Sequence, residues 1–200
     1  MPAERHARYG DRMRSIGVIS DTHGLLRASA IAALSPSDLI IHAGDVGRAE
    51  ILEELAIVAS VVAVRGNIDK AALAEKLRER EVLELDDVRI LVLHDLAELD
   101  LDPRQGGFQA VIFGHSHQPS IEWRDGVLYF NPGSAGPRRF RLPVTVGRLT
   151  IAQGEVSAKI VNIETELEKA GVSPKRLLRT MARAAGGMQN VVVGSMNVPR

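Results

Sequence analysis

Short apolar runs, each ending in a polar loop, constrain this chain more than any other feature. Ile16–Ser20 runs into Asp21-Thr22-His23-Gly24, and Leu39–His42 into Ala43-Gly44-Asp45. Ser60–Val64 runs into Arg65-Gly66-Asn67-Ile68-Asp69. Val88–Leu93 ends at His94-Asp95, and Ala110–Phe113 at Gly114-His115-Ser116-His117. Runs this short and this rich in Val and Ile read as strands buried on both faces. Helical patterns over Ala28–Leu34, Ala49–Ala59 and Ala71–Arg80 follow the first three. In Ala49–Ala59 the apolar Ile51, Leu52, Leu55 and Val58 fall on one helical stripe. Strand alternating with helix predicts parallel strands, and in such sheets sites gather beyond the carboxyl ends.

The later half is mostly strand. Glu81–Leu85 and Val88–Leu93 read as a hairpin across Asp86-Asp87. Ser120–Arg124 and Val127–Asn131 turn at Asp125-Gly126, and Leu142–Ala152 and Glu155–Ile163 at Gln153-Gly154. The fold class expected is α/β: two stacked mixed sheets with helices outside, over residues 14–165. Residues 1–13 read as a polar leader, and residues 166–200 as a helical extension and tail. That extension carries Lys175, Arg176, Arg179 and Arg183, and Gly186-Gly187 ends it. It reads either as a surface helix with a frayed end or as a contact for an oligomer partner or an acidic surface. A homo-oligomer is left open.

Composition excludes several classes. With no cysteine there is no disulfide framework, thiol nucleophile or cysteine-held cluster. Lys plus Arg and Asp plus Glu are both 25, so no bulk field attracts nucleic acid. Aromatic residues are only 4%, too few for base-stacking platforms and enough only for an aliphatic core. No apolar run approaches the roughly 20 residues of a membrane span, and the first residues are no signal peptide. A cytoplasmic protein without a membrane partner is expected.

The loops hold the chemistry. Four of the six histidines lie in them; only His6 and His42 do not. Carboxylate, imidazole and carboxamide donors without thiolate suit Mn, Fe, Zn, Ni or Co. Residues at i and i+2 of an extended segment share a side, so Asp21 with His23, and His115 with His117, are each expected to converge. Asp21, His23, Asp45, Asn67, His94, His115 and His117 exceed one tetrahedral site. They suit two ions bridged by a carboxylate and completed by solvent.

The ordered set D-x-H, G-D, G-N-x-D, H, G-H-x-H resembles the calcineurin-like metallophosphoesterase superfamily. Asn131-Pro132-Gly133-Ser134 and the compact size are similar to its small bacterial and archaeal phosphodiesterase branch. The resemblance runs from about Arg14 to Ile163. It implies paired mixed sheets between helices, and a phosphodiester or reactive phosphomonoester as substrate. It implies Asp21, His23 and His117 on one divalent ion, Asn67, His94 and His115 on another, and Asp45 on both. Manganese is the first choice of metal. A hydroxide between the ions would be the nucleophile, with Asp45, Asn67 and His115 as catalytic residues. Asn67 and Arg138 would bind the substrate phosphate, and Asp69 would orient a ligand. His42, on a buried strand, reads as a core or supporting histidine. Two departures stand out. Ile68 occupies the place where larger relatives carry the histidine thought to protonate the leaving group. Asp95 stands where glycine usually follows the histidine, and could cap a helix or add negative charge. A metal-bearing scaffold without catalysis, as in the retromer subunit of this fold, is the alternative function.

Overall fold

The structure is a computed structural model, and it describes residues 13–164 and 173–184. One sheet has the order β10-β9-β1-β2-β3, the other β4-β5-β6-β8-β7. In the first, β1 (Arg14–Ile19), β2 (Leu39–His42) and β3 (Ser60–Ala63) are parallel. The helices α1 (Ala28–Leu34) and α2 (Glu50–Ala56) connect them. The hairpin β9 (Thr145–Ala152) and β10 (Glu155–Asn162) joins this sheet antiparallel to β1. In the second, β5 (Val88–Leu93), β6 (Ala110–Ile112) and β8 (Val127–Asn131) run parallel. The antiparallel strands β4 (Arg80–Leu85) and β7 (Ser120–Arg124) close its two edges.

Period-two alternation sorts the apolar residues between layers. Ile16, Val18 and Ile41 meet Ile90, Val92, Ile112 and Phe130 between the sheets. Ile19 and Ile40 point the other way, onto Ile31 and Leu34 of α1 and Ile51 and Leu55 of α2. On the far side of the second sheet, Leu91, Leu93, Val111 and Tyr129 pack with Phe108 and, from a short 3₁₀ turn, Leu96. Strands buried on both faces need unbroken apolar sequence, which these have.

The boundaries differ from expectation in three places. The expected helix Ala49–Ala59 is shorter, Glu50–Ala56. The expected helix Ala71–Arg80 shrinks to α3 (Ala72–Lys76). Leu77 is already extended, and Arg78 bridges Val64 beyond the end of β3. Pairing with a strand end there outweighs helix propensity. The last hairpin starts at Thr145 rather than Leu142. Of the expected C-terminal extension, α4 (Pro174–Ala184) is described. Its Leu178 is buried in the layer that covers α1. The leader and the glycine pair that was to end the extension lie outside the described residues.

Candidate metal centre

The carboxyl ends of both sheets meet at one place. The loops after β1 and β2 run side by side: Asp21 N–H donates to Gly44 O (3.0 Å), His23 N–H to Asp45 O (2.9 Å). The second sheet is tied to them by His94, whose Nδ1–H donates to Ala43 O at 2.7 Å. The loop after β6 is fixed from beneath by Asn131, whose amide donates to Gly114 O at 2.7 Å. Ser134 Oγ donates to Asp21 O at 3.0 Å. The Asn131–Ser134 turn thus supports both ligand loops.

Two glycines allow the loops to come this close. A Cβ on Gly66 would lie 2.2 Å from Asp45 Oδ1, and one on Gly114 would lie 2.0 Å from Ser20 Oγ. The backbone is also strained. Asp21, His23, Asp45, His115 and His117 all have positive φ, between 46° and 66°. A non-glycine residue held there costs on the order of 1 kcal/mol, and such residues cluster at functional sites. Those segments are therefore not extended, and the i, i+2 expectation needs correcting. Asp21 and His23 do converge, but His115 and His117 separate. His117 stacks on His23, with ring centroids 5.0 Å apart, whereas His115 meets His94 edge-on at 5.3 Å.

Two clusters of donor atoms result. In one, His23 Nε2 lies 3.2 Å from His117 Nε2, 3.9 Å from Asp21 Oδ1 and 3.7 Å from Asp45 Oδ2. His117 Nε2 is 3.3 Å from Asp21 Oδ1. In the other, Asn67 Oδ1 lies 3.2 Å from both His94 Nε2 and His115 Nδ1. His94 Nε2 is 3.4 Å from Asp45 Oδ1. Asp45 therefore turns one oxygen toward each cluster. Asp21 also lies within reach of Asp45 and His94.

These clusters fit divalent ions. Metal–ligand bonds of about 2.1 Å set neighbouring donors about 3.0–3.4 Å apart, close to the spacings found. Asp21 is 0% exposed, and neither of its carboxylate oxygens accepts a well-formed hydrogen bond, although the Ser20 hydroxyl and the His115 N–H lie near. An unpartnered buried carboxylate is costly unless a cation compensates it. Burial raises the Asp21 carboxyl from 3.8 to about 6. Burial also lowers His117 to about 4, and Arg139 adds to the effect. His23 is lowered for the same reasons, partly opposed by Asp45. These imidazoles stay neutral and present lone pairs, as metal ligands must. Burial opposes charge on His94, but its contact with Asp45 raises it overall.

Asp69 belongs to neither cluster. Its carboxylate accepts backbone N–H from Val46 (3.2 Å), Gly47 (2.8 Å) and Gly66 (2.9 Å). It clamps the loop that carries Asp45 to the loop that carries Asn67. His42 is buried and held down to about 3 by burial. Its Nε2 lies 2.9 Å from Thr22 Oγ1, between Asp21 and His23. Arg138, expected at the phosphate, instead pairs with Glu164 at 2.9 Å. Arg139 is the arginine at the centre, with Nη2 3.4 Å from His23 Nε2. Three arginines within Arg138–Arg141 offer no local signal of which one turns inward.

Paired mixed sheets with Asp, Asn and His donors at their carboxyl ends define a metallohydrolase. Residues 13–154 match the family model of the calcineurin-like phosphoesterase superfamily domain, and the chain belongs to that family. It is a metal-dependent phosphoesterase. A probable metallophosphoesterase of Methanocaldococcus jannaschii is 39% identical over 163 residues, covering 74% of this chain and 81% of the relative. A solved archaeal phosphodiesterase is 25% identical with a TM-score of 0.63, covering 74% of this chain and 99% of the other. Vacuolar protein sorting 29 of Cryptosporidium parvum shares the fold, with TM-score 0.62 and 18% identity, over 76% of this chain and 98% of the other. No helix among the described residues is long and apolar enough to cross a membrane.

Proposed function

We propose that this chain hydrolyses phosphodiesters, or reactive phosphomonoesters, at a centre of two divalent ions. The observation that carries this reading is the division of Asp45: Oδ2 faces His23 at 3.7 Å and Oδ1 faces His94 at 3.4 Å. Asp21, His23 and His117 would hold one ion, Asn67, His94 and His115 the other, and Asp45 would serve both. Ions bound there would supply an activated water as nucleophile and a positive centre for the phosphoryl oxygens. The donor set suits manganese first, with Fe, Zn, Ni or Co as further choices.

The chain's own residues do the rest. Asp45 is held anionic: burial opposes this, but His94 and the Ile68 N–H (3.0 Å) outweigh it. Asn67 offers its amide oxygen to a metal and keeps its NH2 free to donate to a phosphoryl oxygen. Arg139, in place of Arg138, lies where it can pair with the phosphate on the His23 side. Asp69 keeps the loops of Asp45 and Asn67 in register. The phosphodiesterase named among the similar solved structures supports a diester substrate. We place the catalytic domain at residues 14–165, with residues 166–200 as an accessory extension, in a cytoplasmic protein.

The test combines metal analysis with hydrolysis of a synthetic aryl phosphodiester in added Mn. The intact protein is expected to hold two ions per chain and to turn over only with metal. Asp45→Asn is expected to lose both ions and at least about 100-fold in turnover. Two ions and near-normal turnover in that variant would overturn the site. Metal binding without turnover across all five metals would favour the scaffold reading instead.

A further inference from the structure

His115 is the least sheltered of the candidate ligands. Its side chain is 47% exposed, against 4% for His94 and 8% for His117. His94 is fixed twice, by burial and by its Nδ1–H on Ala43 O at 2.7 Å. His115 has neither support, and its backbone sits at φ 66°. It also turns the opposite ring nitrogen inward: Nδ1, not Nε2, lies 3.2 Å from Asn67 Oδ1. Its inward lone pair exists only when the outer nitrogen carries the proton, so an acceptor facing Nε2 favours the ligating tautomer.

Asp95 is placed to do this. Its Oδ2 lies 3.6 Å from His115 Nε2. Its other oxygen accepts the Ala97 N–H at 2.9 Å, capping the 3₁₀ turn Leu96–Glu98. The cap fixes the carboxylate's rotamer. The Gly114 N–H to His94 O bond, at 2.9 Å, sets the distance between the two loops. A ligand histidine usually donates its outer N–H to a carboxylate, carbonyl or water, and losing that acceptor typically costs 10–100-fold in metal affinity. Asp95 and His115 also line one cleft, together with Asn67 and His94.

We propose that Asp95 is a positioning residue. Its carboxylate faces the His115 Nε2–H at ion-pair distance, favours the tautomer with the Nδ1 lone pair on the Asn67 side, and so sets the affinity of the second ion independently of the first. This rests on the two-ion reading of the centre. Asp95→Ser isolates the role. Serine caps a helical turn as well as aspartate does, but it is too short to reach His115. Asp95→Asn keeps the cap through its one amide oxygen and turns an NH2, which donates and does not accept, toward His115.

Calorimetric titration of metal-stripped protein with Mn gives the two affinities, and long-range proton–nitrogen NMR gives the His115 tautomer without metal. In the parent protein the expected result is two ions and a single Nε2–H tautomer. In Asp95→Ser the weaker affinity is expected to fall about 10–100-fold, the tighter one to stay within about twofold, and His115 to show mixed tautomers. Asp95→Asn, which caps but offers His115 no acceptor, is expected to match Asp95→Ser. Thermal melting of the metal-free proteins checks that the cap survives. Two unchanged affinities and an unchanged tautomer in both variants would overturn the role of Asp95 and leave the two-ion centre standing. Fewer than two ions in the parent protein would overturn both.

Discussion

Replacing Asp21 by asparagine is expected to stabilise the metal-free protein while destroying its metal binding. Asp21 is wholly buried, and its carboxyl is raised from 3.8 to about 6. Burial is the main cause; the nearby Ser20 hydroxyl and His94 offset only part of it. The folded chain therefore keeps this proton to a higher pH than the unfolded chain does. By linkage, Asp21 lowers stability progressively as pH rises from about 4 to about 6, and the loss persists above that. Some two pKa units at 1.36 kcal/mol each come to about 3 kcal/mol. Asparagine carries no charge at any pH, and its amide can donate to the lone pair of His117 Nε2, 3.3 Å from the present carboxylate oxygen. Denaturant unfolding of chelator-stripped protein at pH 7.5 should show the variant more stable by about 2–3 kcal/mol. For a chain of this size that is a rise in Tm of about 5–10 °C. At pH 4 the gap should close. His23, His42 and His117 titrate in both proteins, so the difference between them reports Asp21 together with the smaller effect it has on His94. Added Mn should then stabilise the parent protein and not the variant. A gap of equal size at both pH values, or none at pH 7.5, would refute the assignment of the burial cost to Asp21.

Two further outcomes are expected. Arg139→Ala should lower kcat/KM on a phosphodiester about 10–100-fold, the worth of one charged hydrogen bond to phosphate, while Arg138→Ala, which loses only its Glu164 pair, should stay within about twofold; steady-state kinetics of the two variants compares them. Ile68 cannot donate a proton to a leaving group, and a general acid is worth about 10²–10⁴-fold; aryl esters should therefore react far faster than alkyl esters, and Ile68→His should help alkyl esters more. A rate independent of leaving-group pKa in the parent protein would show that another group supplies the proton.

Much of this protein is legible in the sequence, because strand burial and donor type are local properties. An unbroken Val/Ile run can lie only where both faces are covered, so β1, β2, β5 and β6 follow from composition over a few residues. Parallel strands bring their carboxyl ends together within each sheet, so Asp21, Asp45 and Asn67 had to share one edge, and His94 and His115 another. The glycines of Gly66-Asn67 and Gly114-His115 carry meaning as well, since a side chain there would strike Asp45 or Ser20.

What the tertiary structure alone decided is where side chains in irregular backbone point. In a strand, spacing fixes direction; in a loop held at positive φ by contacts from other loops, it does not. Hence His115 and His117, two residues apart, part company, one toward Asn67 and one toward His23. Arg139 rather than Arg138 turns to the centre because Glu164, distant in sequence, takes Arg138. Asp95 serves two loops at once, with one oxygen on Ala97 N–H and the other facing His115. The sequence set which chemical groups reach the site. Contacts between residues far apart in the chain set their orientation, because no local periodicity governs a backbone outside helix and strand.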